Sequence, residues 1–143
     1  MSDFKQNIIE VKSNIDKYLI KTPVLRFDLI DSLCNSEVFF KCENFQHTGS
    51  FKYRAALNAI KNIPYDFKKR GVITHSSGNF ALALSRASHE LNIPCYIIMP
   101  SNTPDFKKKS VLKYTNNIIE CEPNLNAREQ TTKTVMKEKN LFF

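Results

Sequence analysis

Gly71-Val72-Ile73-Thr74-His75-Ser76-Ser77-Gly78-Asn79-Phe80-Ala81 opens the most regular part of the chain. A β-branched apolar run ends in small polar residues. A helical pattern then runs from Asn79 to Leu91, with Ala81, Leu84, Ala87, Ser88 and Leu91 along one face. The alternation continues with a strand over Cys95 to Met99 and a helix over Pro104 to Tyr114, with Thr103 as its N-cap and Pro104 at its first position. Ile118 to Cys121 reads as a strand, Leu125 to about Glu138 as a helix, and Leu141-Phe142-Phe143 as the start of a fourth strand. Strands separated by single helices need crossover connections, so the sheet is parallel and helices cover its faces. The fold class is α/β.

Toward the N-terminus the rhythm is looser. Phe4, Ile8, Val11, Ile15, Tyr18 and Leu19 recur at helical spacing, with Ser2 placed to cap the helix and Thr22-Pro23 to end it. Val24 to Phe27 and Glu37 to Cys42 read as strands. A polar stretch, Glu43 to Gly49, leads into a helix over about Ser50 to Asn62, with apolar positions Phe51, Ala55, Ala56, Ala59, Ile60 and Ile63 at helical spacing.

The bulk composition excludes several classes of function. The 143 residues are 42% hydrophobic and 24% charged, which suits a folded globular chain. Only three glycines occur, Gly49, Gly71 and Gly78, too dispersed for a GxGxxG or P-loop phosphate cradle. The formal charge of +7 comes from dispersed lysines and two short runs, Phe67 to Arg70 and Phe106 to Lys109, read as solvated helix ends. Neither run sits in a nucleic-acid-binding pattern, so no nucleic-acid partner is expected. Cys34, Cys42, Cys95 and Cys121 have no CxxC spacing, and the last three fall in strand-like segments where buried free thiols are expected. His47, His75 and His89 show no metal-ligand spacing, so no metal site is expected. There is no signal-peptide pattern and no apolar run near 18 residues, which gives the expectation of a soluble cytoplasmic protein without membrane contact.

Three stretches carry the chemistry. They are Lys41-Cys42-Glu43-Asn44-Phe45-Gln46-His47-Thr48-Gly49-Ser50-Phe51-Lys52-Tyr53-Arg54-Ala55-Ala56, then Thr74-His75-Ser76-Ser77-Gly78-Asn79-Phe80-Ala81, then Met99-Pro100-Ser101-Asn102-Thr103-Pro104-Asp105-Phe106-Lys107. In this order and spacing they resemble the serine/threonine dehydratase and serine racemase family of pyridoxal-phosphate (PLP) enzymes, fold type II. The family pattern reads K-x-E-x-x-Q-x-T-G-S-F-K-x-R-G-A, S-S-G-N-H-A and M-P-x-x-x-P-x-x-K.

The resemblance implies that Lys52 is the Schiff-base lysine and the base for the α proton, with PLP as cofactor. Physically, an amine near a helix start and beside the apolar wall of Phe51 is favoured in its neutral, nucleophilic form, and Thr48 or Ser50 can cap that helix. Ser76-Ser77-Gly78-Asn79 lies between a strand end and a helix start, where free N–H groups and the helix dipole favour an anion. The resemblance assigns Ser76, Ser77, Gly78 and Asn79 to the substrate carboxylate, Asn79 also to the cofactor's ring hydroxyl, and Ser77 to proton transfer in racemases.

The chain departs from the pattern at Ala55 (glycine in the family), Phe80 (histidine), Leu82 (glutamine) and in the Tyr114-Thr115-Asn116 turn, which lacks a glycine. Phe80 and Leu82 are expected to make the substrate pocket less polar. The chain is also about half the family's length, lacking the part with the phosphate-binding loop. Residues 1–70 then correspond to the N-terminal part of the larger domain and residues 71–143 to the small domain, a four-stranded parallel sheet with helices. The expected activity is α,β-elimination of a small hydroxy amino acid to a 2-oxo acid and ammonia. The alternatives are a racemase of the same family, or a non-catalytic truncated remnant or interaction subunit. A separate C-terminal half or a homo-oligomer is the expected partner.

Overall fold

Only the second half of the N-terminal apolar stripe finds a core. The computed structural model describes residues 2–143, with side chains from Phe4 onward, so the Ser2 cap lies outside the described side chains. Helix α1 (Ser2–Ile15) buries Ile15 and half-buries Val11, while Phe4 and Ile8 face outward. A 3-10 turn, Asp16–Tyr18, closes it before the Thr22-Pro23 stop. Strand β1 (Val24–Leu25) pairs antiparallel with β2 (Phe40–Lys41), Val24 opposite Lys41 and Leu25 opposite Phe40. Both are shorter than their apolar patterns because an unexpected helix, α2 (Asp28–Cys34), fills the connection. It has no capping side chain and exposes Leu29 and Leu33, so it offers no buried stripe to read. Helix α3 (Lys52–Asn62) buries Tyr53, Ala56, Leu57 and Ile60, and the six-residue α4 (Tyr65–Arg70), also unforeseen, follows Pro64.

From there the observed order matches the expected alternation: β3 (Val72–His75), α5 (Asn79–Glu90), β4 (Cys95–Pro100), α6 (Asp105–Leu112), β5 (Ile118–Cys121) and α7 (Leu125–Lys139). The strands form a parallel sheet in the order β3-β4-β5, with Val72 beside Cys95 and Ile97 beside Ile118. The expected fourth strand is reduced to one parallel bridge, Phe142 to Val72, on the outer edge of β3. There Ile73 N–H donates to the Phe142 carbonyl at 2.8 Å and Phe142 N–H to that of Gly71 at 3.1 Å.

Two local expectations are corrected. Pro104, with ψ 138°, precedes α6 as its N-cap instead of opening it, and Thr103 is buried with its Oγ1 unpartnered, so it makes no capping bond to the helix start. Among the cysteines expected to be buried, Cys95 is, and burial pushes its thiol up to about 12; Cys42 and Cys121 are half-buried at the sheet margins.

Strand alternation sends Val72, Cys95, Ile97 and Met99 to the sheet face under α3 and α5, and Ile73 and Ile98 to the face under α7, where Val135 meets them. The first cluster continues without a break from Ile15, Tyr53 and Leu57 to Ala81 and Leu84. Burying Leu57 or Ile60 contributes about 2 kcal/mol each. Among the described residues no helix is long and apolar enough to cross a membrane.

The sheet begins at a position that tolerates no side chain. Gly71 sits at φ 110°, and a Cβ there would lie 2.4 Å from the Pro94 carbonyl oxygen. Gly71→Ala is expected to lower stability by about 3 kcal/mol, from backbone strain and a clash with main chain. Urea unfolding measures this as a lower midpoint, and an unchanged midpoint contradicts it.

Candidate functional site

The polar residues around Lys52 form a scaffold. Arg54 donates to Glu43 through Nε and one terminal nitrogen, both at 2.8 Å, a bidentate pair. Thr22 Oγ1 donates to the same carboxylate at 2.7 Å, and Lys41 Nζ to the Thr22 carbonyl at 2.6 Å. The hydrogen bonds from Arg54, more than any other cause, hold the Glu43 carboxyl down at about 2. Gln46, buried, clasps the backbone of Ile20 with both ends of its amide, donating to its carbonyl at 2.9 Å and accepting from its N–H at 3.0 Å. Between these anchors the chain makes two left-handed steps, Thr48 at φ 65° and Gly49 at φ 70°. The first is uncommon for a β-branched residue and stands only because the flanks are fixed.

Lys52 is the first residue of α3 and half-buried, its Nζ 4.8 Å from the centroid of the exposed Phe51 ring. Neither Thr48 nor Ser50 caps the helix as expected. The N-cap is Phe51, and it makes no side-chain cap. Instead Thr48 Oγ1 and Ser50 Oγ are buried without a hydrogen-bond partner among the described residues. Two desolvated hydroxyls within four residues of an accessible amine call for a polar partner. That donor set suits a polar carbonyl cofactor such as PLP.

Ser76 to Asn79 joins β3 to α5. Ser76 N–H is held by the Ile98 carbonyl at 3.1 Å, and its Oγ accepts from Gly78 N–H at 3.4 Å. Gly78 is the N-cap of α5, so no side chain satisfies the first N–H groups of that helix. A Cβ on Gly78 would meet nothing within 4 Å, so the glycine leaves the space before the helix open. Ser77, Gly78 and Asn79 line a cavity of about 150 Å³ whose other wall is Phe106, Lys107 and Ser110 of α6. Leu82 lines it too, but Phe80 does not. Phe80 turns into a separate apolar cavity with Ile60, Ile63, Leu84 and Phe142, so of the two apolar replacements only Leu82 bears on this pocket. Lys52, Phe51 and Ser76 lie outside the cavity's lining. The structure thus gathers Ser77, Gly78 and Asn79, and sets Lys52 at the start of a helix packed on α5. Phe106 and Lys107 fall in the third sequence motif without a site role assigned to them, and Ser110 lies beyond it. The signal available was the third motif, which ends on Lys107.

A family model described as pyridoxal-phosphate dependent enzyme matches residues 15–143. The serine racemase of Dictyostelium discoideum is 41% identical over 93% of this chain and 41% of its own length, and the beta-hydroxyaspartate dehydratase of Paracoccus denitrificans is 39% identical over 93% and 42%. The crystal structure of the Dictyostelium racemase superposes with a TM-score of 0.90 at 40% identity, covering 96% of this chain and 45% of that one. The chain therefore spans less than half the length of these relatives.

The scaffold makes a signed pH prediction. Glu43 ionises at an ordinary 4.5 when unfolded and at about 2 when folded, so its stabilisation is complete above pH 4.5 and disappears as pH falls toward 2. Glu43→Gln is expected to lose about 2 kcal/mol at neutral pH. In denaturant titrations the gap between wild type and variant should close over that acid window. A gap that widens on acidification contradicts the assignment.

Proposed function

Because the chain belongs to the pyridoxal-phosphate-dependent enzyme family, we propose that it supplies the lysine-bearing portion of an enzyme that removes the α proton of a small hydroxy amino acid and expels the β-hydroxyl. The observation that carries this reading is the uncapped start of α5, where Ser77, Gly78 and Asn79 share one cavity open to an anion. Their N–H groups receive the substrate carboxylate, favoured by the helix dipole. Lys52 would hold the cofactor, with Phe51 beside it as an apolar wall and the Asn79 amide available to its ring hydroxyl. PLP, when bound, supplies an electron sink for the charge left at the α carbon. Once the substrate amine has taken its place on the cofactor, the freed Nζ of Lys52 would take the α proton and pass it to the departing β-hydroxyl, which leaves as water. Hydrolysis by one water would then release a 2-oxo acid and ammonia. The position of Ser77 in the cavity wall favours a second reading, racemisation, in which its Oγ returns a proton to the opposite face.

In this proposal residues 1–70 belong to a larger cofactor domain and residues 71–143 to a small domain. The exposed apolar side chains of the first part, among them Val24, Phe27, Leu29, Leu33 and Phe39, each at least half exposed, are then covered by the remaining portion of the fold.

The test is covalent. PLP added to the purified chain and fixed with borohydride should label the Lys52 peptide above all other lysines. L-serine or L-threonine added before reduction should lower that label by supplying a competing amine. Label spread evenly over the surface lysines contradicts the proposal.

A further inference from the structure

The start of α3 lacks a cap, yet Lys52 must keep one direction to serve as the reacting amine. The neighbouring residue supplies the missing constraint. Tyr53 is fully buried, and its hydroxyl donates to the carboxylate of Glu90, the last residue of α5. The Arg86 guanidinium lies 5.6 Å over the Tyr53 ring and 5.8 Å over that of Tyr114, and donates to the Tyr114 hydroxyl at 3.4 Å. The His47 ring meets Tyr53 edge-on at 5.3 Å. Tyr53 is thus gripped from α5, from the turn before Lys52 and, through Arg86, from Tyr114 in the turn after α6.

We infer that Tyr53 is a positioning residue for Lys52, acting through its hydrogen bond to Glu90 and its packing under Arg86. The inference rests on the proposed role of Lys52. Successive helix residues are rotated by about 100° around the axis. Fixing Tyr53 toward α5 therefore fixes the direction of Lys52, beside Phe51 and away from the core. Without that anchor the uncapped first turn is held only by the Arg54–Glu43 pair and can roll about it, and the amine loses its direction while the rest of α3 stays packed through Leu57 and Ile60. Burial, with Glu90 next, raises the Tyr53 pKa, so its hydroxyl stays protonated and donating through the neutral range.

The test compares the share of borohydride-fixed PLP on Lys52 with thermal stability in a set of variants of the full chain. Tyr53→Phe and Glu90→Ala should each lower the Lys52 share about five-fold, the weight of one hydrogen bond, and the double variant should lower it no further. Glu90→Gln keeps an acceptor and should restore the share to near wild type. Leu57→Val, a buried change later in the same helix, should lower stability while leaving the share intact. An unchanged share in Tyr53→Phe, or an equal loss in Leu57→Val, overturns the positioning role and leaves the reading of Lys52 standing. Absence of Lys52 label in the wild type overturns both.

Discussion

The bidentate pair between Arg54 and Glu43 is the interaction on which the site depends. It ties the first turn of α3 to the segment leaving β2, and Thr22 draws the end of the N-terminal region into the same carboxylate. With Gln46 clamped on Ile20, both flanks of the Thr48-Gly49 turn are fixed, and the left-handed steps between them become tenable. Charge-assisted, partly buried bonds suit this task because removing either partner leaves the other desolvated and alone. Most of the polar letters in the first motif are therefore structural. Lys41, Glu43, Gln46 and Arg54 fix the turn that leads into Lys52.

The second half of the site follows from the sheet. A parallel β3-β4 pair puts the end of β3 beside Ile98, which pins Ser76, and α5 must then begin within three residues. That constraint leaves the start of α5 capped only by Gly78, and α6 closes the opposite wall of the cavity. Packing of α3 on α5 brings the two halves into one core, with Tyr53 at the junction.

The alternation from Gly71 onward was legible because α5 buries one face and writes a helical period, whereas β3 and β4 bury both faces and read as apolar runs, with Val72, Ile97 and Met99 on one side of the sheet and Ile73 and Ile98 on the other. Helices α2 and α4 were not legible, since they are short and bury no residue. Thr103 has the composition of a cap but the burial of a core residue, and only tertiary packing decides between the two. Lys52 and the Ser76 to Asn79 loop were readable as motifs. The partners that organise them, Glu90, Arg86 and the α6 wall, lie far off in sequence and follow no short-range pattern. Phe80 shows the converse, a motif position whose side chain turns into a different cavity from the one its neighbours line.

The central claim is that this scaffold presents Lys52 as the cofactor-bearing amine. A crystal structure of the chain soaked with PLP tests it most directly. The account predicts continuous density from Lys52 Nζ to the cofactor, with the Thr48 and Ser50 hydroxyls gaining polar partners. Density on another lysine, with the two hydroxyls still unpartnered, would contradict it.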